Sequence, residues 1–295
     1  MRKLRRSMLF CPASSEKMLK TAHLRGADCV IFDLEDAVAY SEKENARKLL
    51  CNALQTIDYG SCEIFARINP LNTKFGEDDV EELVKSGIKN IRLPMCEGKE
   101  NVAELSQMLS YYEKMNDIRE GTIRIQGAIE TPKGVLNALE IAEADERVIS
   151  ISFGTVDYTN CLFTDRTKDK EQFLYARSHV ALCASVTGID AVDTVYLEIN
   201  DIDGFTEETR HAKLLGFTGK SCIHPSQVPV VHRVFTPDSK SVEESLIIIK
   251  EAKKAAQKGI GVIVVDGKMV DEPIVKKAEK ILELAAAVGM LRIPS

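Results

Sequence analysis

Eight short apolar runs, each followed by a polar or amphipathic stretch, constrain this chain more than any other feature. They fall at residues 8–11, 29–34, 64–69, 90–93, 123–130, 148–153, 190–196 and 220–223. Short, β-branched and bounded by turn residues, they read as buried strands. Helix-like stretches such as 42–55, 77–86, 99–114 and 132–144 lie between them, with Gly26, Gly87 and Gly188 where helix C-terminal turns are expected. About eight β-then-α units in roughly 230 residues suit a closed parallel α/β cylinder, the TIM (β/α)8 barrel, better than an open sheet. A doubly wound dinucleotide-binding sheet is the rival architecture, but no Gly-x-Gly-x-x-Gly follows the first run. The expected division is a catalytic barrel over 1–235 and a helix-hairpin-helix extension over 236–295. Within the extension, 242–258 reads as a lysine-rich helix, 261–270 as a hairpin turning at Asp266-Gly267, and 272–288 as a final helix. Such a tail could be a lid, an oligomer arm or cladding on the core.

The 295 residues carry a net charge of −6 with lysine and arginine scattered, which disfavours a nucleic-acid role. Four basic residues open the chain, yet the apolar stretch behind them is too short for a secretory signal or a membrane span. They could dock an acidic partner or simply be solvated. The eight cysteines include no Cys-x-x-Cys pair and fit reduced thiols packed as small hydrophobes, so a cytoplasmic location is expected.

In a parallel barrel, catalytic groups gather at the C-terminal ends of the strands. Here those ends carry Asp33, Glu35 and Asp36 after the second run, Arg67 after the third, Arg92 after the fourth and Glu130 after the fifth. The sixth leads through a glycine to Asp157, and the eighth ends in His224-Pro225. Glu130 and Asp157, at the same end of neighbouring strands, can reach one ion and leave positions open for a chelating substrate, as a magnesium site requires. Alternatively each acid caps the helix that follows it. Unpaired buried carboxylates repel one another, so the acids with Arg67 suggest a divalent cation and an anionic substrate. Arg67 either neutralises those acids or clamps a substrate carboxylate and steadies a developing oxyanion. His224, Asp193 and Glu198 read as structural. The polar stretch 154–171 is long enough to be a binding loop; its Arg166 and Lys168 could meet a phosphate or carboxylate, or form an exposed turn.

The strings RRSMLF, FDLEDAV, RINPLNTKFG, RLP, AIET…GVLNALEIA, FG…DYT, EQFLYAR, GFTGKSCIHPSQ and DGKMVDEPIVKKA occur in order across nearly the whole chain. Together they resemble the citrate lyase β-like (HpcH/HpaI) aldolase superfamily, on its citrate lyase branch. The resemblance implies a TIM barrel that cleaves a citryl thioester on an acyl-carrier protein into oxaloacetate and the acetyl thioester. It also implies Mg2+ on Glu130 and Asp157, substrate binding by Arg67 and Glu130, and catalytic roles for Arg67 and Asp271. Related lyases insert the aspartate matching Asp271 into a neighbouring subunit. Asp36 lies where related pyruvate aldolases carry a histidine base, which makes it a candidate catalytic group. The implied partners are citrate lyase α and γ subunits and further copies of this chain, as a trimer. There are departures: ETPKG stands where the branch often has ESALG, and Val156 where a glutamate often precedes the metal aspartate. IHPSQ is equally similar to lyases acting on coenzyme A thioesters. A stand-alone malyl- or citramalyl-coenzyme A lyase and a non-catalytic scaffold subunit are therefore the two rival expectations.

Overall fold

The computed structural model describes residues 3–291 apart from 165, 166, 168, 169 and 258. Arg166 and Lys168 lie outside the described residues. The strands are β1 (Ser7–Pro12), β2 (Cys29–Asp33), β3 (Glu63–Arg67), β4 (Asn90–Leu93), β5 (Arg124–Ile129), β6 (Val148–Phe153), β7 (Asp190–Asp193) and β8 (Gly219–Cys222). They pair in chain order, all parallel, and β8 returns to β1, which closes the barrel. The expected (β/α)8 architecture is the one that forms.

Burial explains why the strands read as continuous apolar runs: both faces of β2 are shielded from water along its whole length. The Gln126 amide on β5 reaches the Met8 sulfur on β1 at 3.3 Å, a contact across the barrel rather than between ladder neighbours. Met8, Cys29, Ile31, Phe65 and Val192 form a buried cluster with Phe10 packed against it. Side chains alternate along each strand, so one set fills the cylinder and the other meets the helices.

Several elements end earlier than their sequence patterns suggest. β2 stops at Asp33 because its carboxylate accepts the backbone N–H groups of Glu35 (2.9 Å) and Ala37 (3.0 Å), which turns the chain. The stretch 132–144 is two helices, Pro132–Leu136 and Ala138–Glu143, parted at Asn137, whose side-chain amide donates to the Glu97 carbonyl at 2.8 Å. Gly188 ends the helix Leu174–Thr187 at φ 74°, a left-handed conformation that strains residues with a Cβ.

The outward face of β7 and β8 carries a buried ionic cluster. The Asp193 carboxylate accepts Arg177 Nε (3.0 Å), Arg177 Nη2 (2.9 Å) and Lys220 Nζ (2.7 Å). Lys220, fully buried, also donates to Glu208 at 2.7 Å and to the Thr194 carbonyl at 2.9 Å. Burial alone would raise the Asp193 carboxyl, but Lys220 and Arg177 more than reverse that and hold it below the usual range. Asp193 is thus a structural pair, as its position suggested, whereas Glu198 stands exposed on the loop beyond β7.

The barrel unit spans Arg5–His232, and the chain from Arg233 onward belongs to a second compact unit. That unit contains the helices Ser239–Ala256 and Glu272–Ala287 and the antiparallel strands Ile263–Val265 and Lys268–Val270. Asp266 (φ 50°) and Gly267 (φ 75°) make its tight turn, as Asp-Gly hairpins do. Among the described residues, no helix is long and apolar enough to cross a membrane.

Candidate metal and substrate site

The turn after β2 and the end of β3 are built around one guanidinium. Arg67 Nε donates to Asp33 Oδ1 at 2.7 Å and Nη2 to Asp33 Oδ2 at 2.6 Å, a bidentate pair. Its Nη1 lies 3.0 Å from both Asp36 Oδ2 and Glu35 Oε2. Asp33 sits beside Arg67 because the two are ladder partners at the ends of β2 and β3. Burial raises the Asp33 carboxyl, and the Arg67 bonds overcome this and bring it below its ordinary value. In this arrangement Arg67 neutralises acids. Asp33 fixes its plane, while the Asp36 side chain is 69% exposed and free to yield to an incoming anion.

Glu130 and Asp157 lie at the same mouth of the barrel. Glu130 directly follows β5, is 5% exposed, and accepts the Met95 N–H at 3.1 Å on Oε2. Met95 holds φ 49°, a left-handed conformation that costs about 1 kcal/mol for a non-glycine residue. Gly154, after β6, donates its N–H to the Ile129 carbonyl, and a Cβ on it would come within 2.6 Å of Glu130 Cγ. The missing side chain leaves room for Glu130 beside the backbone that leads into the helix carrying Asp157. Neither acid is the N-cap of the following helix. Thr131 caps Pro132–Leu136 and Gly154 is the N-cap of Thr155–Leu162, which leaves Asp157 in its first turn.

Arg92, which the sequence places at the end of the fourth run without a role, sits on β4 in register with Arg67. Its Nη1 donates to Gln126 Oε1 at 2.7 Å and its Nη2 lies 3.6 Å from Glu130 Oε1. The signal was available: an arginine inside a fully buried four-residue strand is rare without a partner. Glu35 is the other residue left open by the sequence. Burial, and then Asp36, Glu130 and Asp33, outweigh Arg67 and push its carboxyl up to about 8. His224 caps the short helix Pro225–Gln227, with Nδ1 bonded to the Ser226 hydroxyl at 2.8 Å. Asp271 belongs to the second unit, where it caps the helix Glu272–Ala287.

The donor set fits a divalent cation. Among the described residues, Asp33, Glu35, Asp36, Glu130 and Asp157 interact at this mouth with two guanidiniums, Arg67 and Arg92. Burial first, then Glu130 and Asp36, raise the Asp157 carboxyl despite Arg67. Negative charge is therefore in excess on the Glu130–Asp157 side. No group of three or more His, Cys, Asp or Glu side chains is arranged to hold a metal among the described residues. A two-carboxylate site matches Mg2+, which keeps waters and substrate oxygens as its other ligands, rather than a closed zinc site.

The HpcH/HpaI aldolase/citrate lyase family matches residues 6–225. Citrate lyase subunit beta of Leuconostoc mesenteroides subsp. cremoris is 43% identical over 285 residues, 97% of this chain and 94% of its own. The crystal structure of CitE from Mycobacterium tuberculosis in complex with magnesium, acetoacetate and coenzyme A has a TM-score of 0.79 at 30% identity. It covers 97% of this chain and 100% of that one. The citrate lyase beta subunit of M. tuberculosis complexed with oxaloacetate and magnesium has a TM-score of 0.68 at 32% identity, covering 78% of this chain and 96% of that one.

Proposed function

The chain belongs to the HpcH/HpaI aldolase/citrate lyase family, and on that premise we propose that Glu130, Asp157 and Arg67 form its lyase centre. It is a magnesium-dependent carbon–carbon lyase, a citrate lyase subunit beta that splits a citryl thioester on an acyl-carrier protein into oxaloacetate and the acetyl thioester. The observation that carries the proposal is the excess of carboxylates at one mouth, where the Glu130 charge acts on Asp157 and Gly154 packs directly against Glu130.

Mg2+ on Glu130 and Asp157 would act as a Lewis acid toward the hydroxyl and carboxylate oxygens that leave as oxaloacetate. Arg67, held in plane by Asp33, offers Nη1 to a substrate oxygen once Asp36 swings away. Asp36, at the rim, takes the proton of the tertiary hydroxyl. The carbon–carbon bond then breaks, and its electron pair passes to the thioester as an enolate. Asp271 delivers a proton to the enolate carbon, a role that rests on the family resemblance.

The name of the Leuconostoc relative implies a multi-subunit enzyme, and α and γ subunits with a trimer of this chain are the assembly we assign. The eight free thiols suit the reducing cytoplasm. A coenzyme A thioester is the second reading, favoured by the coenzyme A bound to the M. tuberculosis protein. Citryl thioester on carrier protein and on coenzyme A, offered in parallel with and without chelator, tests both. We expect chelator-sensitive release of oxaloacetate and faster turnover on the carrier. Preference for coenzyme A selects the second reading, and turnover indifferent to chelator contradicts the metal assignment.

A further inference from the structure

Arg67 and Arg92 are ladder partners on β3 and β4, and both guanidiniums lie over the Phe10 ring, at 5.3 and 5.2 Å. Their electrostatic situations differ. Arg67 is surrounded by Asp33, Glu35 and Asp36. Arg92, 3% exposed, has the neutral Gln126 and a 3.6 Å approach to Glu130, which is beyond hydrogen-bond distance. Its Nε has no hydrogen-bond partner among the described residues. A buried guanidinium with an open Nε donor, and with its nearest carboxylate at ion-pair rather than hydrogen-bond distance, has room in its hydrogen bonding for a further anion.

A second orphan lies nearby. Ser150 faces the barrel interior, since its hydroxyl accepts Gln126 Nε2 at 2.9 Å, and strand alternation turns Ser152 the same way, one step nearer the mouth. Ser152 is fully buried, and its hydroxyl also has no partner among the described residues. Ser152 pairs with Ala128, two residues before Glu130. A guanidinium on β4 and a hydroxyl on β6, each buried with one polar atom short of a partner, thus flank β5, the strand that leads to Glu130.

From this pairing we infer that Arg92, with Ser152, binds the second carboxylate of the oxaloacetate half of the substrate and makes the site select dicarboxylate over monocarboxylate keto acids. The inference rests on the citryl-lyase reading. Oxaloacetate carries two carboxylates. The one beside the reacting carbon belongs to the metal and Arg67, and the other, on the methylene, needs a cation of its own. A citramalyl thioester has a methyl group there and would leave Arg92 unpaired. Arg92 Nη2 already faces Glu130 Oε1, so a carboxylate can replace that contact when Glu130 turns to the metal.

Calorimetric titration of the full chain in saturating Mg2+ with oxaloacetate and with pyruvate tests this. Wild-type protein should bind oxaloacetate far more tightly. Arg92→Gln should weaken oxaloacetate about 100-fold and pyruvate by less than about threefold. Ser152→Ala, a small change that keeps the test open if Arg92→Gln does not fold, should weaken oxaloacetate about fivefold and leave pyruvate unchanged. Equal losses for both keto acids, or an intact preference in both variants, would overturn the inference while leaving the lyase reading in place. Failure of the wild-type protein to bind either keto acid with Mg2+ would overturn both.

Discussion

Glu130→Gln is expected to lower kcat/KM for citryl thioester cleavage by about three orders of magnitude, and Asp157→Asn by a similar factor. Each substitution keeps the shape of the side chain and removes the charge a cation needs. Glu130 Oε2 also accepts the Met95 N–H, and a glutamine oxygen can keep that bond. The double variant should be little worse than either single one, because the two acids act as one site. Stability should change little. Glu35 and Asp157 are both held above their ordinary carboxyl values, in part by Glu130, so removing that charge relieves repulsion there, while it also takes the 3.6 Å carboxylate from buried Arg92. Unfolding by denaturant should show a nearly unchanged midpoint for Glu130→Gln. A midpoint several degrees lower on heating, with activity retained in the folded fraction, would instead mark Glu130 as structural.

The largest stability loss is expected away from the site, at Lys220→Met. Methionine fills similar space but removes the buried cation that Asp193 and Glu208 share, leaving Asp193 with Arg177 alone and Glu208 with Lys170 alone among the described residues. Removing one partner of a buried ionic cluster costs about 3–5 kcal/mol. In a domain of this size that corresponds to a fall in Tm of about 10 °C. Adding Glu208→Gln should recover part of the loss, because it removes a negative charge that opposes Asp193 once Lys220 is gone, while Arg177 still holds Asp193. Calorimetric melting of the single and double variants reads both effects. A single-variant loss below about 1 kcal/mol would mean that water or rearrangement replaces Lys220, as at exposed pairs.

The barrel was legible in the sequence because parallel strands buried on both faces must be short apolar runs, as Cys29–Asp33 and Val148–Phe153 are. The placement of Glu130 and Asp157 at one mouth was legible for a related reason: an acid just beyond such a run stands at the strand's C-terminal end. The threefold engagement of Arg67 was not legible, since it depends on the turn that Asp33 makes by binding the N–H groups of Glu35 and Ala37. Arg92 could be placed at a strand end, but its partners follow from register with Arg67 and Gln126, which a single strand does not reveal. The rise of Glu35 to about 8 arises first from burial and then from Asp36 and Asp33 at its own turn and Glu130 after β5, a combination with no local sequence pattern. The break at Asn137 likewise belongs to a tertiary bond with Glu97 rather than to helix propensity.

Anomalous scattering from crystals soaked in Mn2+, a stand-in for Mg2+ with similar preference for oxygen ligands, is the most direct measurement of the shared-cation site. One manganese peak is predicted, in contact with both the Glu130 and Asp157 carboxylates and on the same side of the barrel as Arg67. A peak bound to one of them alone, a peak at another acidic group, or no peak beside a fully engaged Glu130 would contradict it.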